Sequence, residues 1–282
     1  ILDPDYLPPI QTHPLGNNGR IQMFSGSTGA ELWNVLNPFP SSLSLTLESA
    51  GDVNLDGRPD VMVSYRTSGG AFGWFQGVVR VLSGRDGSVV LDWTAPPSQE
   101  FMGAALASVG DLDGDGYPDL VVGAQATDVG VVTHAAALSG RTGQPILQWT
   151  GSDPGDGFGG SVARAGDVNL DGIPDIAIGS PWGAPVGGTP YWGAPTWGKV
   201  DLFSGANGAL LWSQDGNHGQ HPPPWGDGYS CGAALTSVGD QDSDGIPDLL
   251  GGCPTSYPLV PFPTPIPGYW AYHARGAIHL LS

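Results

Sequence analysis

The sequence predicts an all-β fold of the β-propeller type, built from radially stacked, four-stranded antiparallel blades, and three observations carry that prediction. An acidic ten-residue segment recurs four times, at 51–60, 110–119, 166–175 and 239–248. Short apolar stretches flank every copy in matching places, and nothing between them holds a helical period. Gly (46) and Pro (27) make up about a quarter of the 282 residues, a level that suits many turns between short strands. Disorder does not explain that bias, because apolar residues are 40% of the chain and tryptophans number 10.

The elements of the unit follow in order. A first strand precedes each acidic segment, at 43–50, 104–109, 161–165 and 233–238, and a second follows it, at 61–64, 120–123, 176–179 and 249–252. A third strand ends in Ser-Gly, at 78–84, 135–140 and 199–205, and a fourth, at 88–93, 145–149 and 209–212, ends in Trp93, Trp149 and Trp212. These tryptophans are expected in the core between blades. Residues 20–33 repeat strands three and four with no acidic segment before them, and 276–282 repeat strand three. The tally is seventeen strands, where four blades need sixteen and five need twenty. Four or five blades are therefore expected according to how the termini close, with 21–24 and 31–33 able to complete the ring by pairing with the last blade. A stack of hairpins without ring closure is the structural alternative. Residues 1–18 read as an extended, Pro-rich arm and 19–282 as one propeller domain.

Charge narrows the function classes. Acidic residues outnumber basic ones 27 to 9, for a net charge of −18. Such a surface has nothing to neutralise phosphates, which excludes nucleic acid, and it is repelled by anionic membranes. No apolar run approaches the roughly 20 residues of a membrane-spanning helix. The chain begins at Ile1 with no leader-like segment, from which a processed mature form is expected.

The acidic segments explain where the charge goes. Counted from the first aspartate, positions 1, 3 and 5 are Asp52, Asn54 and Asp56; Asp111, Asp113 and Asp115; Asp167, Asn169 and Asp171; Asp240, Asp242 and Asp244. Position 6 is Gly57, Gly116, Gly172 or Gly245, and position 9 is Asp60, Asp119, Asp175 or Asp248. Ca²⁺ takes six to eight oxygens, and short carboxylates alternating along a sharply curled loop converge on one point. The position 7 carbonyls of Arg58, Tyr117, Ile173 and Ile246 are expected to add an oxygen, and the ninth aspartate to close the shell. About four Ca²⁺ ions are expected, one per loop. Turn chemistry alone needs one or two such residues, not five fixed positions four times over. A helix–loop–helix calcium site needs Glu at position 12, where this chain has Val63, Val122, Ile178 and Gly251. Pro59, Pro118, Pro174 and Pro247 at position 8 instead open the strands that follow.

On these residues the chain resembles the FG-GAP repeat family, the calcium-binding propeller repeats of integrin α-subunit heads and of bacterial extracellular proteins. Phe158-Gly159 matches the family's Phe-Gly element, and Gly179-Ser180-Pro181 and Gly252-Cys253-Pro254 approximate its Gly-Ala-Pro. Gly123-Ala124-Gln125 matches more weakly, and the first repeat has Val63-Ser64-Tyr65. The resemblance covers roughly residues 20–282 and implies structural calcium in the hairpin between strands one and two of each blade. It implies no particular ligand.

Other chemistry is thinner. Gly228-Tyr-Ser-Cys-Gly232 has the spacing of a nucleophile elbow but lies before a strand and a calcium loop, without the helix such an elbow needs. His218 and His221 stand in a Gly/Pro-rich insertion without a third fixed ligand. Cys231 and Cys253 flank the fourth loop and are expected to form a disulfide, two buried free thiols being the alternative. Trp182, Trp192, Trp197, Trp225 and Trp270 lie in long Pro/Gly-rich insertions and are candidates for partner or glycan contact. With acids that follow the repeat instead of clustering in one cleft, no catalysis is expected. The function expected is a secreted or cell-surface calcium-binding module for adhesion or scaffolding, one that self-assembles head to tail into an oligomer or fibre through its arm and blade edges. A carbohydrate-binding or polysaccharide-acting propeller using the aromatic loops is the alternative.

Overall fold

Strands form where the chain runs apolar or alternates between glycine-rich turns. This computed structural model describes residues 19–36, 45–68, 75–97, 99, 102–124, 132–182, 198–216, 231–254 and 277–281. Seventeen strands and no helix occur among them. A hairpin of β1 (Arg20–Phe24) and β2 (Glu31–Leu36) comes first. Three four-stranded antiparallel sheets follow in chain order. The first blade is β3 (Leu45–Gly51), β4 (Asp60–Ser68), β5 (Phe75–Leu82) and β6 (Val89–Thr94). The second is β7 (Met102–Gly110), β8 (Asp119–Ala124), β9 (His134–Leu138) and β10 (Pro145–Thr150). The third is β11 (Ser161–Gly166), β12 (Asp175–Ser180), β13 (Lys199–Phe203) and β14 (Leu210–Asp215). A three-stranded sheet of β15 (Ala234–Gly239), β16 (Asp248–Cys253) and β17 (Ala277–Leu281) ends the succession. These meandering sheets are propeller blades, and the fold is all-β as the sequence predicts.

The first strands β3, β7, β11 and β15 lie side by side in that order, so the blades fan out from a common edge. Apolar clusters fill each gap between neighbours. Met62, Val79, Val81 and Trp93 of the first blade meet Leu106, Leu120 and Val122 of the second. Val121, Ala137 and Trp149 of the second meet Phe158, Val162, Ile176 and Ile178 of the third. Because both faces of an interior blade are covered, its second strand is buried end to end, as in β8 and β12. Their continuous apolar runs, with no alternation, follow from that double coverage.

The tryptophans of the fourth strands do sit between blades, in two registers. Trp33 pairs with Met23 where Leu91 pairs with Val81, so Trp93 and Trp149 lie two residues further along the same face. Trp33 and Trp149 each donate their indole N–H to a carbonyl of the next blade, Gly84 and Gly208, at 3.0 Å.

One expectation is corrected. The β1–β2 hairpin does not pair into the last sheet; it stacks on the first blade, placing Ile21 and Trp33 against Val63, Tyr65 and Val78. First strand meets first strand from β3 through β7 and β11 to β15, with no comparable contact from β15–β17 back to β1–β6, so the described strands form an open succession of blades. The physical reason is that β17 already supplies strand three of the last sheet, pairing with β16 from Leu249↔Leu281 to Cys253↔Ala277. The strand three repeat at 20–24 therefore has no place there. The arm 1–18 lies outside the described residues.

Candidate metal centres

Each acidic segment caps the hairpin between a blade's first two strands. The first strand ends in a bulge at Gly51, Gly110, Gly166 or Gly239, all at positive φ, which swings the chain into the loop. The proline at position 8 does more than open the next strand. Pro118 packs on Gly51 and Pro247 on Gly166, where an added Cβ would meet the ring at 3.2 and 2.7 Å. The second, third and fourth loops are thereby seated on the bulge of the blade before, Pro174 meeting Gly110 in the same way.

Within the loop, the first aspartate organises the backbone. Asp52 Oδ1 accepts from Asp56 N at 2.9 Å and its Oδ2 from Gly57 N at 2.8 Å. Asp111, Asp167 and Asp240 accept the equivalent pair of N–H groups. The position 5 carboxylates accept from the N–H of position 7, Arg58, Tyr117, Ile173 and Ile246, at 2.7–3.0 Å. The side chains at positions 1, 3 and 5 thus curl inward on one turn. Oxygens of Asp111, Asp113 and Asp115 lie within 4.8 Å of one another, as do those of Asp240, Asp242 and Asp244. In the other two loops Asn54 and Asn169 take the middle place. Hard oxygens converging at this spacing match a calcium-sized cation, and like charges so close repel unless one is present.

The ninth aspartate has a role the sequence reading did not see. Asp60, Asp119, Asp175 and Asp248 are at most 2% exposed. One oxygen accepts an N–H from the start of the loop, at Val53, Leu112, Val168 or Gln241. In the first three blades the other accepts the N–H of the Ser-Gly glycine, Gly84, Gly140 or Gly205, at 2.9–3.1 Å. The loop is thus latched to the turn between strands three and four. That glycine is obligatory, because a Cβ on Gly84, Gly140 or Gly205 would lie 1.9 Å from the carbonyl oxygen of the position 8 proline. Burial pushes the Asp119 carboxyl up to about 6 against the pull of its N–H donors, and raises Asp60 and Asp175 in the same direction.

A second buried acid, Asp156, was not singled out from sequence. Its Oδ1 accepts Phe158 N at 2.9 Å, fixing the Phe-Gly turn so that Phe158 packs edge-on to Phe203. The signal was available in Asp156-Gly-Phe-Gly, an Asx-type turn ahead of a buried aromatic.

Cys231 and Cys253 are joined, with S–S 2.09 Å. Trp182 lies half-buried against Gly157, where a Cβ would meet the indole at 2.3 Å. Trp192, Trp197, Trp225 and Trp270, His218, His221 and the 228–230 part of the elbow-like motif lie outside the described residues. No helix of the described residues is long and apolar enough to cross a membrane.

Comparison with known proteins bears on family and on catalysis. Residues 52–122 match the model of the FG-GAP-like repeat. Integrin alpha-IIb of mouse is 28% identical over 253 residues, 79% of this chain and 22% of that protein, and the human protein gives the same figures. Human integrin alpha-7 is 34% identical over 158 residues, 53% of this chain and 12% of that protein. The chain therefore spans less than a quarter of the length of these relatives. Among solved structures, rhamnogalacturonan lyase YesW aligns over 83% of this chain and 44% of its own, at 13% identity and a TM-score of 0.41. The expectation of a chain without catalysis is corrected on that point: a lyase stands among the structures that it resembles, so catalysis is not excluded. At that TM-score the likeness carries no lyase chemistry to this chain either. Residues 52–122, which hold the first two loops, therefore carry an FG-GAP-like repeat, and two further loops of the same design stand at equivalent hairpins.

Proposed function

We propose that this chain is an extracellular, calcium-binding propeller module for adhesion or scaffolding, whose blade ends dock protein partners, other copies of the same chain foremost. The observation that carries the calcium reading is the inward-turned carboxylates of each hairpin loop, held by backbone N–H groups in one repeated arrangement. Bound calcium would neutralise those carboxylates and stiffen the hairpin. In this reading the side chains at positions 1, 3 and 5 hold the ion, joined by the position 7 carbonyls and the ninth aspartates. The Cys231–Cys253 disulfide suits the oxidising, calcium-rich exterior. The likeness to integrin alpha chains supports an adhesive role.

Self-assembly is supported by the two unlike ends of the blade succession. Phe24 stands at the strand position of Leu82 and Leu138 by its pairing, and is 55% exposed where they are buried. Leu32 is exposed beside it, and Leu36 is exposed at the far end of the hairpin, opposite Arg20. At the other end Val238 and Leu250, where Val109 and Val121 are fully buried, are only half-buried. Each end thus presents the face that an adjoining blade covers elsewhere, and a second copy would continue the stack head to tail. Sedimentation of the full chain in calcium tests this. Growth with concentration into elongated species, lost in a Phe24→Lys/Leu32→Lys variant, is the expected result. A monomer at every concentration overturns it. Deleting 1–18 separates a role of the arm from that of the blade faces. The glycan alternative keeps no supporting contact among the described residues, since Trp182 packs on its own chain.

A further inference from the structure

The four loops are not equivalent, and their differences alternate along the chain. The first and third have Asn at position 3 and Leu at position 4: Asn54-Leu55 and Asn169-Leu170. The second and fourth have Asp and a small residue: Asp113-Gly114 and Asp242-Ser243. Resting on the calcium reading above, we propose that the chain holds two classes of calcium site, a tight pair in the second and fourth loops and a weaker pair in the first and third.

Three features point the same way. The first is charge. Positions 1, 3 and 5 bring three carboxylates together in the tight pair and two in the weak pair, and ligand charge count is a main control on calcium affinity. The second is donor availability. In the weak pair the Asn Oδ1 already accepts an N–H, from Asp56 or Asp171 at 3.0 Å, and its other terminal atom is a donor. That Nδ2 points at the position 5 carboxylate, 3.4 Å from Asp56 Oδ2 and 2.9 Å from Asp171 Oδ2, occupying an oxygen an ion would use. In the tight pair Asp113 and Asp242 accept the matching N–H through Oδ1 and keep Oδ2 as a further carboxylate oxygen. The third is backbone. Position 4 is left-handed in every loop, at φ 56° for Leu55, 60° for Leu170, 67° for Ser243 and 77° for Gly114. Glycine adopts that conformation freely and a residue with a Cβ only under strain, so Gly114 relieves a cost that Leu55, Leu170 and Ser243 carry, and what sets both tight loops apart is the position 4 N–H. Gly114 N and Ser243 N also donate to Oδ1 of the first aspartate, at 2.8 and 2.7 Å, adding a tie that orients that carboxylate.

The consequence is stepwise filling. The second and fourth hairpins would be ordered at calcium levels that leave the first and third empty. The weak class would then respond to changes in external calcium while the tight class stays loaded.

Calcium titration of the intact chain, by calorimetry with native mass spectrometry to count ions, tests the inference. The expected result is two ions bound before the other two, with affinities separated by roughly tenfold or more. An Asn54→Asp/Asn169→Asp variant should bring the weak pair toward the tight one and merge the two steps. An Asp113→Asn/Asp242→Asn variant should merge them from the other side, with circular dichroism confirming that both variants fold. Four indistinguishable sites in the natural chain overturn the inference while leaving the calcium reading intact, as does a split that Asn54→Asp/Asn169→Asp does not move. Uptake of no ion at all overturns the calcium reading and this inference together.

Discussion

The second blade and the last one are built from the same repeat and meet different fates. In the second, β8 is buried along its whole length between two neighbours. In the last, β16 is covered on one side only, and the exposed face of β15 carries Thr236 where the interior blades place Ala107 and Ala163. The two sheets share register, bulge and loop, so the difference lies in what stands beside them. A single blade of four short strands cannot bury both of its faces, and stability is passed from neighbour to neighbour.

The sharpest break between the two regions should come from their large side chains. Trp149→Ala, inside the stack, is expected to cost about 3–5 kcal/mol in urea unfolding. Phe24→Ala, on the open face, should cost within about 0.5 kcal/mol under conditions that keep the chain monomeric. Equal costs would show that the open face is covered in solution.

A smaller contrast compares one position in different blades. Gly123, Gly179 and Gly252 each stand four residues after the ninth aspartate. A Cβ on Gly123 or Gly179 would meet a carbonyl of the next blade at 2.1 Å, whereas around Gly252 nothing among the described residues lies nearer than 3.5 Å. Gly123→Ala should therefore lose about 2 kcal/mol and Gly252→Ala almost nothing. The first blade has Ser64 here, and its hydroxyl donates to Gly103 O at 2.6 Å. A serine is thus accommodated in the first blade, where its hydroxyl uses the neighbouring carbonyl.

Smaller again is the strain at Leu170, which is 68% exposed with φ at 60°. Leu170→Gly loses little burial and removes a left-handed leucine, and is expected to raise stability by about 1 kcal/mol. A loss on substitution would show that the leucine makes a contact in solution.

The least of these effects is a pH slope at Asp156. Burial raises its carboxyl above the ordinary value of 3.8, while the Phe158 N–H pulls it back. A folded-state value above the unfolded one means that its contribution is fully present below about pH 3.8 and fades as pH rises through the folded value. Asp156→Asn keeps the acceptor and removes the charge. The stability of the natural chain should therefore fall relative to the variant as pH rises above about 4. A difference that does not change with pH would remove burial as the cause.

Much of this was legible in the sequence because the repeat is local. The hairpin loops, the seventeen strands and the tryptophans between blades follow from residues within one unit of each other. What escaped was contact between units. Pro118 meets Gly51 and Ser161 Oγ donates to Gly232 O, pairs far apart in sequence that leave no local pattern. The place of β1–β2 escaped for a related reason. Strand identity says which neighbour a hairpin can pair with, but not whether another segment, here β17, already holds that place.

The central claim is that the blades keep their shape because cations sit among the loop carboxylates. Thermal unfolding of the intact chain in millimolar calcium and in excess chelator tests it most directly. A large drop in Tm on chelation, restored when calcium is added back, is the expected result. Superimposable melts, with no divalent ion found in the folded protein, would contradict it.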